Sequence, residues 1–311
     1  MTCIAITGAT GFIGRHLLDA FVASGIDIRA LTRRPQAPRT GVTWVAGDLD
    51  NRRALRELAH GADLVIHAAG LVKARRAADF DSVNRGGTAR LLAALDAAAP
   101  AARLVLVSSL AAREPQLSPY AASKAAAEAL VAGALPESRR IILRPPGVYG
   151  PGDREILKLI RAAARGVLPV PGRTGNRVSL VYAPDLARLV AALCAGTAHG
   201  GRVIEVDDGR SGGYDYAEIA DILSGVLGRP VRPLAVPAPA LHGLAMTAEL
   251  VAFLSRRPAM LGRGKVRELL HPDWVVRDGG NDILRLVPET ATDLATGLGR
   301  SCAWARDQGL L

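Results

Sequence analysis

Tyr120 and Lys124 stand four residues apart, and two serines, Ser108 and Ser109, lie a short way upstream. Residues at i and i+4 share one face of a helix, so a phenol and an ammonium at this spacing project together. Ser118 is a natural N-cap and Pro119 a natural first helical residue, which places Tyr120 in an opening turn. A free tyrosine loses its proton near pH 10, too high for an acid or base working at neutrality. A fixed ammonium close by favours the phenolate and brings that value down. Serine, tyrosine and lysine in this arrangement suit proton transfer to or from the oxygen of a carbonyl.

The elements that must hold these groups can be read from the start of the chain. Cys3 to Thr7 predicts a buried strand, and Gly8-Ala9-Thr10-Gly11-Phe12-Ile13-Gly14 follows it directly. Ile13, Leu17, Leu18, Phe21 and Val22 then recur at helical spacing. A glycine-rich turn between strand and helix lets backbone approach a diphosphate, which then sits on the helix N-terminus; the plainer use is close packing alone. Asp27 to Leu31 predicts a second strand, ending in Thr32-Arg33-Arg34-Pro35. No acid stands at positions 29 to 34 to hold a ribose 2′-hydroxyl, and arginine accommodates a 2′-phosphate. This favours NADP, with NAD the second choice; solvated loop charges are the bland reading of Arg33 and Arg34.

Val42 to Val45 predicts a third strand running into Gly47-Asp48-Leu49, where Asp48 can meet an adenine or cap the next helix. A fourth strand, Asp63 to His67, ends in Ala68-Ala69-Gly70, small residues that let a cofactor lie against backbone. His67 has no partner at metal spacing and reads as a packed histidine. A helix from about Asp79 to Ala98 carries Asn84, and a fifth strand, Arg103 to Val107, delivers Ser108 and Ser109. Strands alternating with helices predict an α/β fold with a doubly wound parallel sheet. Such sheets bind ligands at the carboxyl ends of their strands.

Taken in order, Thr7 to Gly14, Asp48-Leu49, His67 to Gly70, Asn84, Ser109 and Tyr120-Ala121-Ala122-Ser123-Lys124 resemble an extended short-chain dehydrogenase/reductase, of the NAD-dependent epimerase/dehydratase superfamily. The resemblance implies a Rossmann core with a smaller C-terminal lobe. It makes Tyr120 the acid/base, Lys124 the residue that tunes it and holds the nicotinamide ribose, and Ser109 the partner of the substrate oxygen. It assigns cofactor contacts to Gly8, Thr10, Gly11, Phe12, Ile13, Gly14, Arg33, Arg34, Asp48, Leu49, Ala68, Ala69, Gly70, Asn84, Pro146 and Val148, together with Tyr120 and Lys124. Asn84 then serves either a proton relay or structure. Arg144-Pro145-Pro146-Gly147-Val148-Tyr149-Gly150 and the stretch from Asn176 to Ala187 resemble the segments that line the family's substrate cleft. Gly147 stands where sugar-nucleotide epimerases usually carry asparagine, and the interval from Ser109 to Tyr120 is short. The Arg-Pro opening is closer to the 3β-hydroxysteroid dehydrogenase and dihydroflavonol reductase branch. The tail from Glu289 resembles the family's closing helix, and the likeness is weakest from about Pro230 to Val287. Homodimer formation is a further implication of the resemblance.

With 311 residues, 49% hydrophobic and 22% charged, the chain can bury a large core. The expected division is a dinucleotide-binding core over 1–170, with sheet elements returning at about 176–206, and a mostly substrate-binding or lid lobe over 207–311. The net charge is +10, yet only four of 39 basic residues are lysine, and no basic stripe is interleaved with aromatics, so nucleic-acid binding is not expected. Cys3, Cys194 and Cys302 have neither metal nor pairing spacing, which fits a reducing compartment and no metal. Met1 leads directly into an apolar strand, which argues for a cytoplasmic protein without a signal peptide. The apolar stretch Leu234 to Leu254 contains Pro237, Pro239, His242 and Glu249, so it does not predict a spanning helix. With Arg256, Arg257, Arg263, Lys265 and Arg267 beside it, it reads as a lid over an apolar cleft or, alternatively, as peripheral contact of residues 234–267 with the inner face of a membrane.

Together these features predict an NADP-dependent oxidoreductase that reduces a ketone, or oxidises the alcohol, on an apolar, lipid-like or polycyclic small-molecule substrate such as a 3-oxo-sphingoid, a ceramide or a steroid-like compound. One alternative is a nucleotide-sugar epimerase or dehydratase that retains NAD. Another is a non-catalytic, nucleotide-binding structural subunit.

Overall fold

The computed structural model describes residues 3–195, 200–255, 261–277 and 291–311. Residues 256–260, with Arg256 and Arg257, and 278–290, with the start of the expected tail, lie outside the described residues. Two compact units form, Met1–Arg144 with Ala187–Ile204, and Pro145–Leu186 with Glu205–Leu311.

The first unit is built on β1 (Ile4–Thr7), α1 (Phe12–Ala23), β2 (Ile28–Thr32), β3 (Val42–Ala46), α2 (Arg52–Ala59), β4 (Leu64–His67), α3 (Ala77–Phe80), α4 (Gly86–Ala98), β5 (Arg103–Val107), α5 (Pro119–Ala134) and β6 (Arg140–Arg144). The sheet runs β3-β2-β1-β4-β5-β6, with Val203–Glu205 beyond β6. All pairings from β3 to β6 are parallel. β1 and β4 are buried at every position, as strands covered on both faces must be. Order reverses between β1 and β4, so the β1–α1 turn and the end of β4 open at the switch point. Leu55 and Leu58 of α2, Leu91 and Leu95 of α4, and Val131 of α5 pack with Val65 and Leu104 of the sheet into one core cluster.

Strand ends fall within a residue of expectation: β1 starts at Ile4, β2 extends to Thr32 and β3 to Ala46. The predicted helix from Asp79 to Ala98 begins earlier and changes pitch. A five-residue π turn, Asp81–Arg85, separates α3 from α4 and carries buried Asn84. Asp48 does not cap α2. Asn51 does, its side chain accepting from the Ala54 N–H, while Asp48 Oδ1 accepts the N–H groups of Asp50 and Asn51.

In the second unit, Gly147–Tyr149 pairs with Leu180–Tyr182, and Val167–Pro171 pairs with Arg232–Val236, both parallel. The helix Tyr216–Leu227 starts in an Asp215/Glu218 capping box and ends at Gly228, whose φ of 65° is left-handed. Tyr149, Tyr182, Tyr214, Leu223, Leu294 and Leu298 share its core. The helix Ala238–Ser255 packs a separate small cluster, Leu241 and Ala245 against Val266 of the helix Arg263–Leu270.

Candidate active site

The glycine turn is a close approach of backbone on backbone. A side chain at Gly8, where φ is +77°, would place its Cβ 2.5 Å from the Ala69 nitrogen, and one at Gly14 would lie 2.1 Å from the Gly8 carbonyl oxygen. β1, α1 and the end of β4 are therefore locked together by the absence of side chains. α1 begins at Phe12 with Gly11 in the N-cap position, with no side-chain cap and no acid in its first turn. Uncapped N–H groups and a positive dipole end fit a diphosphate held over Gly8, Thr10, Gly11, Phe12, Ile13 and Gly14.

α5 starts as its sequence dictates. Ser118 accepts from the Ala121 N–H at 2.9 Å, Pro119 takes the first position, and Tyr120 sits in the first turn. The half-buried Tyr120 ring meets Phe80 edge-on, with centroids 5.9 Å apart. One turn on, Lys124 is buried, and its Nζ donates to the Val107 carbonyl at the end of β5, at 2.8 Å. Burial lowers its pKa to about 8, against the charge of Glu128, which holds it up.

The two serines have separate fates. Ser108 is buried and spends its proton on Glu128 Oε1, at 2.5 Å. Glu128, also buried, takes a forked pair of contacts from Arg144, with Nη2 2.6 Å from Oε2. Ser109 is only half-buried and caps the short turn Leu110–Arg113 by accepting the Ala111 N–H at 3.2 Å. Acting there as an acceptor, Ser109 keeps its own proton to donate. This supports Ser109 over Ser108 as the partner of a substrate oxygen.

Asn84 is clamped. Its Oδ1 accepts the Leu71 N–H at 2.7 Å, and its Nδ2 donates to the Leu71 carbonyl and to Ser123 Oγ. Ser123 in turn donates to the Tyr120 carbonyl. Asn84 thus ties the loop after β4 to the first turn of α5. At Gly70 an added Cβ would come 3.1 Å from Asn84 Oδ1 and 3.8 Å from Lys124 Nζ, so Gly70, Asn84 and Lys124 form one cluster. His67 is buried between Thr7 Oγ1, at 2.6 Å, and Thr88 Oγ1, at 3.0 Å. Burial, reinforced by the Lys124 charge, lowers its pKa to about 3, so it stays neutral at physiological pH.

The remaining predicted residues are more dispersed. Arg33 and Arg34 are exposed just beyond β2, and Asp48 is exposed beyond β3. Leu49 is buried against Gly87. Ala68 and Ala69 are half-buried beside the glycine turn. Pro146 and Val148 belong to the second unit, with Val148 paired to Val181. Among the described residues, no group of three His, Cys, Asp or Glu could hold a metal. Glu128 and Arg144 are the polar groups that motif reading passed over. The available signal was Glu128 at i+4 from Lys124, on the same helical face.

A family profile described as the NAD dependent epimerase/dehydratase family matches residues 4–206. The chain is 45% identical over 276 residues to a ceramide reductase of Caulobacter vibrioides, covering 87% of this chain and 85% of that protein. It is 27% identical to a 2-alkyl-3-oxoalkanoate reductase of Stenotrophomonas maltophilia, over 93% and 96% of the two chains. Among solved structures, a dTDP-glucose 4,6-dehydratase of Streptomyces venezuelae with NAD bound superposes with a TM-score of 0.70 at 23% identity, covering 99% of this chain and 97% of that one. An epimerase of Methanothermobacter thermautotrophicus gives 0.73 at 17% identity, over 99% and 93%. These likenesses carry the fold, and the sequence matches carry the family. The chain belongs to the NAD dependent epimerase/dehydratase family and is an NAD(P)-dependent oxidoreductase of the short-chain dehydrogenase/reductase type.

Proposed function

We propose that the protein reduces a ketone on a long-chain, lipid-like substrate of the 3-oxo-sphingoid or ceramide kind, with NADPH as the preferred cofactor. The observation that carries this reading is the division of labour at the end of β5. Ser108 is consumed by the Glu128–Arg144 pair, whereas Ser109 keeps a proton beside the helix that presents Tyr120 and Lys124. The similarity to a ceramide reductase and to a 3-oxoalkanoate reductase supports a keto group on an aliphatic substrate.

A nicotinamide held at this sheet edge would supply the hydride that the carbonyl carbon needs. Ser109 donates a hydrogen bond to the carbonyl oxygen and steadies its growing negative charge. Tyr120 gives up its phenolic proton to that oxygen, completing the alcohol. Lys124 stabilises the phenolate left behind, from a position fixed by the Val107 carbonyl. The glycine turn and the uncapped start of α1 would hold the cofactor's diphosphate. Arg33 and Arg34, exposed beyond β2 with no acid at positions 29 to 34, take the 2′-phosphate. The second unit forms the substrate lobe, to which Pro146 and Val148 contribute.

The test is turnover of a 3-oxo-ceramide with NADPH. One NADPH consumed per alcohol formed is the expected result. An enzyme that converts sugar nucleotides with no net change in cofactor, and leaves the keto-lipid untouched, would sink this reading.

A further inference from the structure

We propose that the outer face of the helix Ala238–Ser255 is a docking surface for an anionic lipid bilayer, on which the helix lies flat. The inner face is already occupied, since Leu241, Ala245 and Ala252 are buried, the first two against Val266. Leu244, Met246, Leu250 and Val251 are spread over the rest of the helix surface and are 55% to 62% exposed. Ala240, Gly243 and Thr247 share that surface, also exposed and uncharged. Its described titratable groups are His242 and, at its edge, the half-exposed Glu249, which is paired with Arg263. Four of the nine large apolar side chains left exposed among the described residues stand on this one helix. Single exposed apolar residues are ordinary, but a contiguous set marks a surface that something covers.

Charge identifies the occupant. The segments flanking the helix expose Arg229, Arg232, Arg263, Lys265 and Arg267. The nearby acids are already engaged, Glu249 with Arg263 at 3.2 Å and Glu268 with Lys265 at 2.9 Å. An apolar face with a surplus of positive charge beside it matches the boundary of a bilayer containing anionic lipids. A second copy of this chain is disfavoured, because an isologous contact through this face would bring the same basic residues together twice. The helix docks on the bilayer and does not span it, since no described helix is long and apolar enough to cross a membrane.

The test needs neither substrate nor cofactor, so its outcome is independent of the proposed reduction. Full-length protein is floated with vesicles of phosphatidylcholine alone and of phosphatidylcholine with phosphatidylglycerol. Wild type is expected to bind the anionic vesicles at least about tenfold better, and added salt to weaken that binding. A Leu250→Ser/Val251→Ser variant with an unchanged melting temperature is expected to lose about tenfold of it. No binding of wild type to the anionic vesicles, or equal binding by the double variant, overturns the proposal. A wild-type dimer that the double variant abolishes also overturns it, by giving the face to a second copy.

Discussion

α5 and the helix Ala238–Ser255 are both rich in alanine and poor in charge, yet they solve opposite problems. α5 carries two charged residues, Lys124 and Glu128, and buries both. Each is answered, Lys124 by the Val107 carbonyl and Glu128 by Ser108 and Arg144. Buried charge is tolerated only with such partners, and what it gains here is a fixed ammonium one turn from a phenol. The second helix leaves half of its described apolar residues in solvent. In the first helix the proposed function rests on the polar exceptions, and in the second it rests on the apolar residues.

The contrast is tested most severely at Tyr120. Tyr120→Phe removes the phenolic proton and keeps the ring, so turnover is expected to fall about 10³-fold with the cofactor still bound, measured by steady-state rates and cofactor titration. Retained turnover would show that another group moves the proton.

Lys124 is expected to leave its mark in the pH profile. With its pKa lowered to about 8, it is charged below that pH and neutral above, so reductive kcat/KM should fall as pH rises through about 8. Lys124→Met should cost about 10²-fold and flatten that limb. The stability effect has the opposite sign. The folded value lies below the ordinary 10.5, so the charged lysine disfavours the folded state below about 8, and the cost disappears as pH rises toward 10.5. Lys124→Met is therefore expected to raise the melting temperature at pH 7, read by thermal unfolding at pH 7 and pH 10.

Glu128→Gln removes the buried carboxylate that Arg144 and Ser108 both use and should cost about 3 kcal/mol in denaturant unfolding. It should also move the descending limb of the pH profile to lower pH, because Glu128 holds the Lys124 value up. Arg33→Ala is milder: about tenfold weaker NADPH binding with NADH binding unchanged, measured by calorimetry. On the second helix, Leu250→Ser is expected to change stability by less than about 0.5 kcal/mol, the mark of a side chain with nothing packed on it.

Much of the site was legible because its parts are contiguous. The glycine turn, the Ser118–Pro119 helix start and the Tyr120/Lys124 spacing each lie within a few residues, where local backbone rules act. The Glu128–Arg144 pair and the Ser108–Glu128 bond span 16 and 20 residues and exist only once β5, α5 and β6 are packed. The π turn at Asp81–Arg85 follows the same logic, since its sequence is ordinary helix and no local signal announces the altered pitch. For Ala238–Ser255, apolar residues occur all around the helix, so periodicity could not say which face would be buried.

The central claim is that the Ser109/Tyr120/Lys124 set serves net reduction of a keto-lipid. The most direct measurement is a turnover of 3-oxo-ceramide with NADPH deuterated at the transferring position, followed by mass analysis of the product. One deuterium on the new carbinol carbon, with one NADP formed per alcohol, is the predicted result. An unlabelled product, or deuterium that stays with the cofactor while a sugar nucleotide is converted, would contradict it.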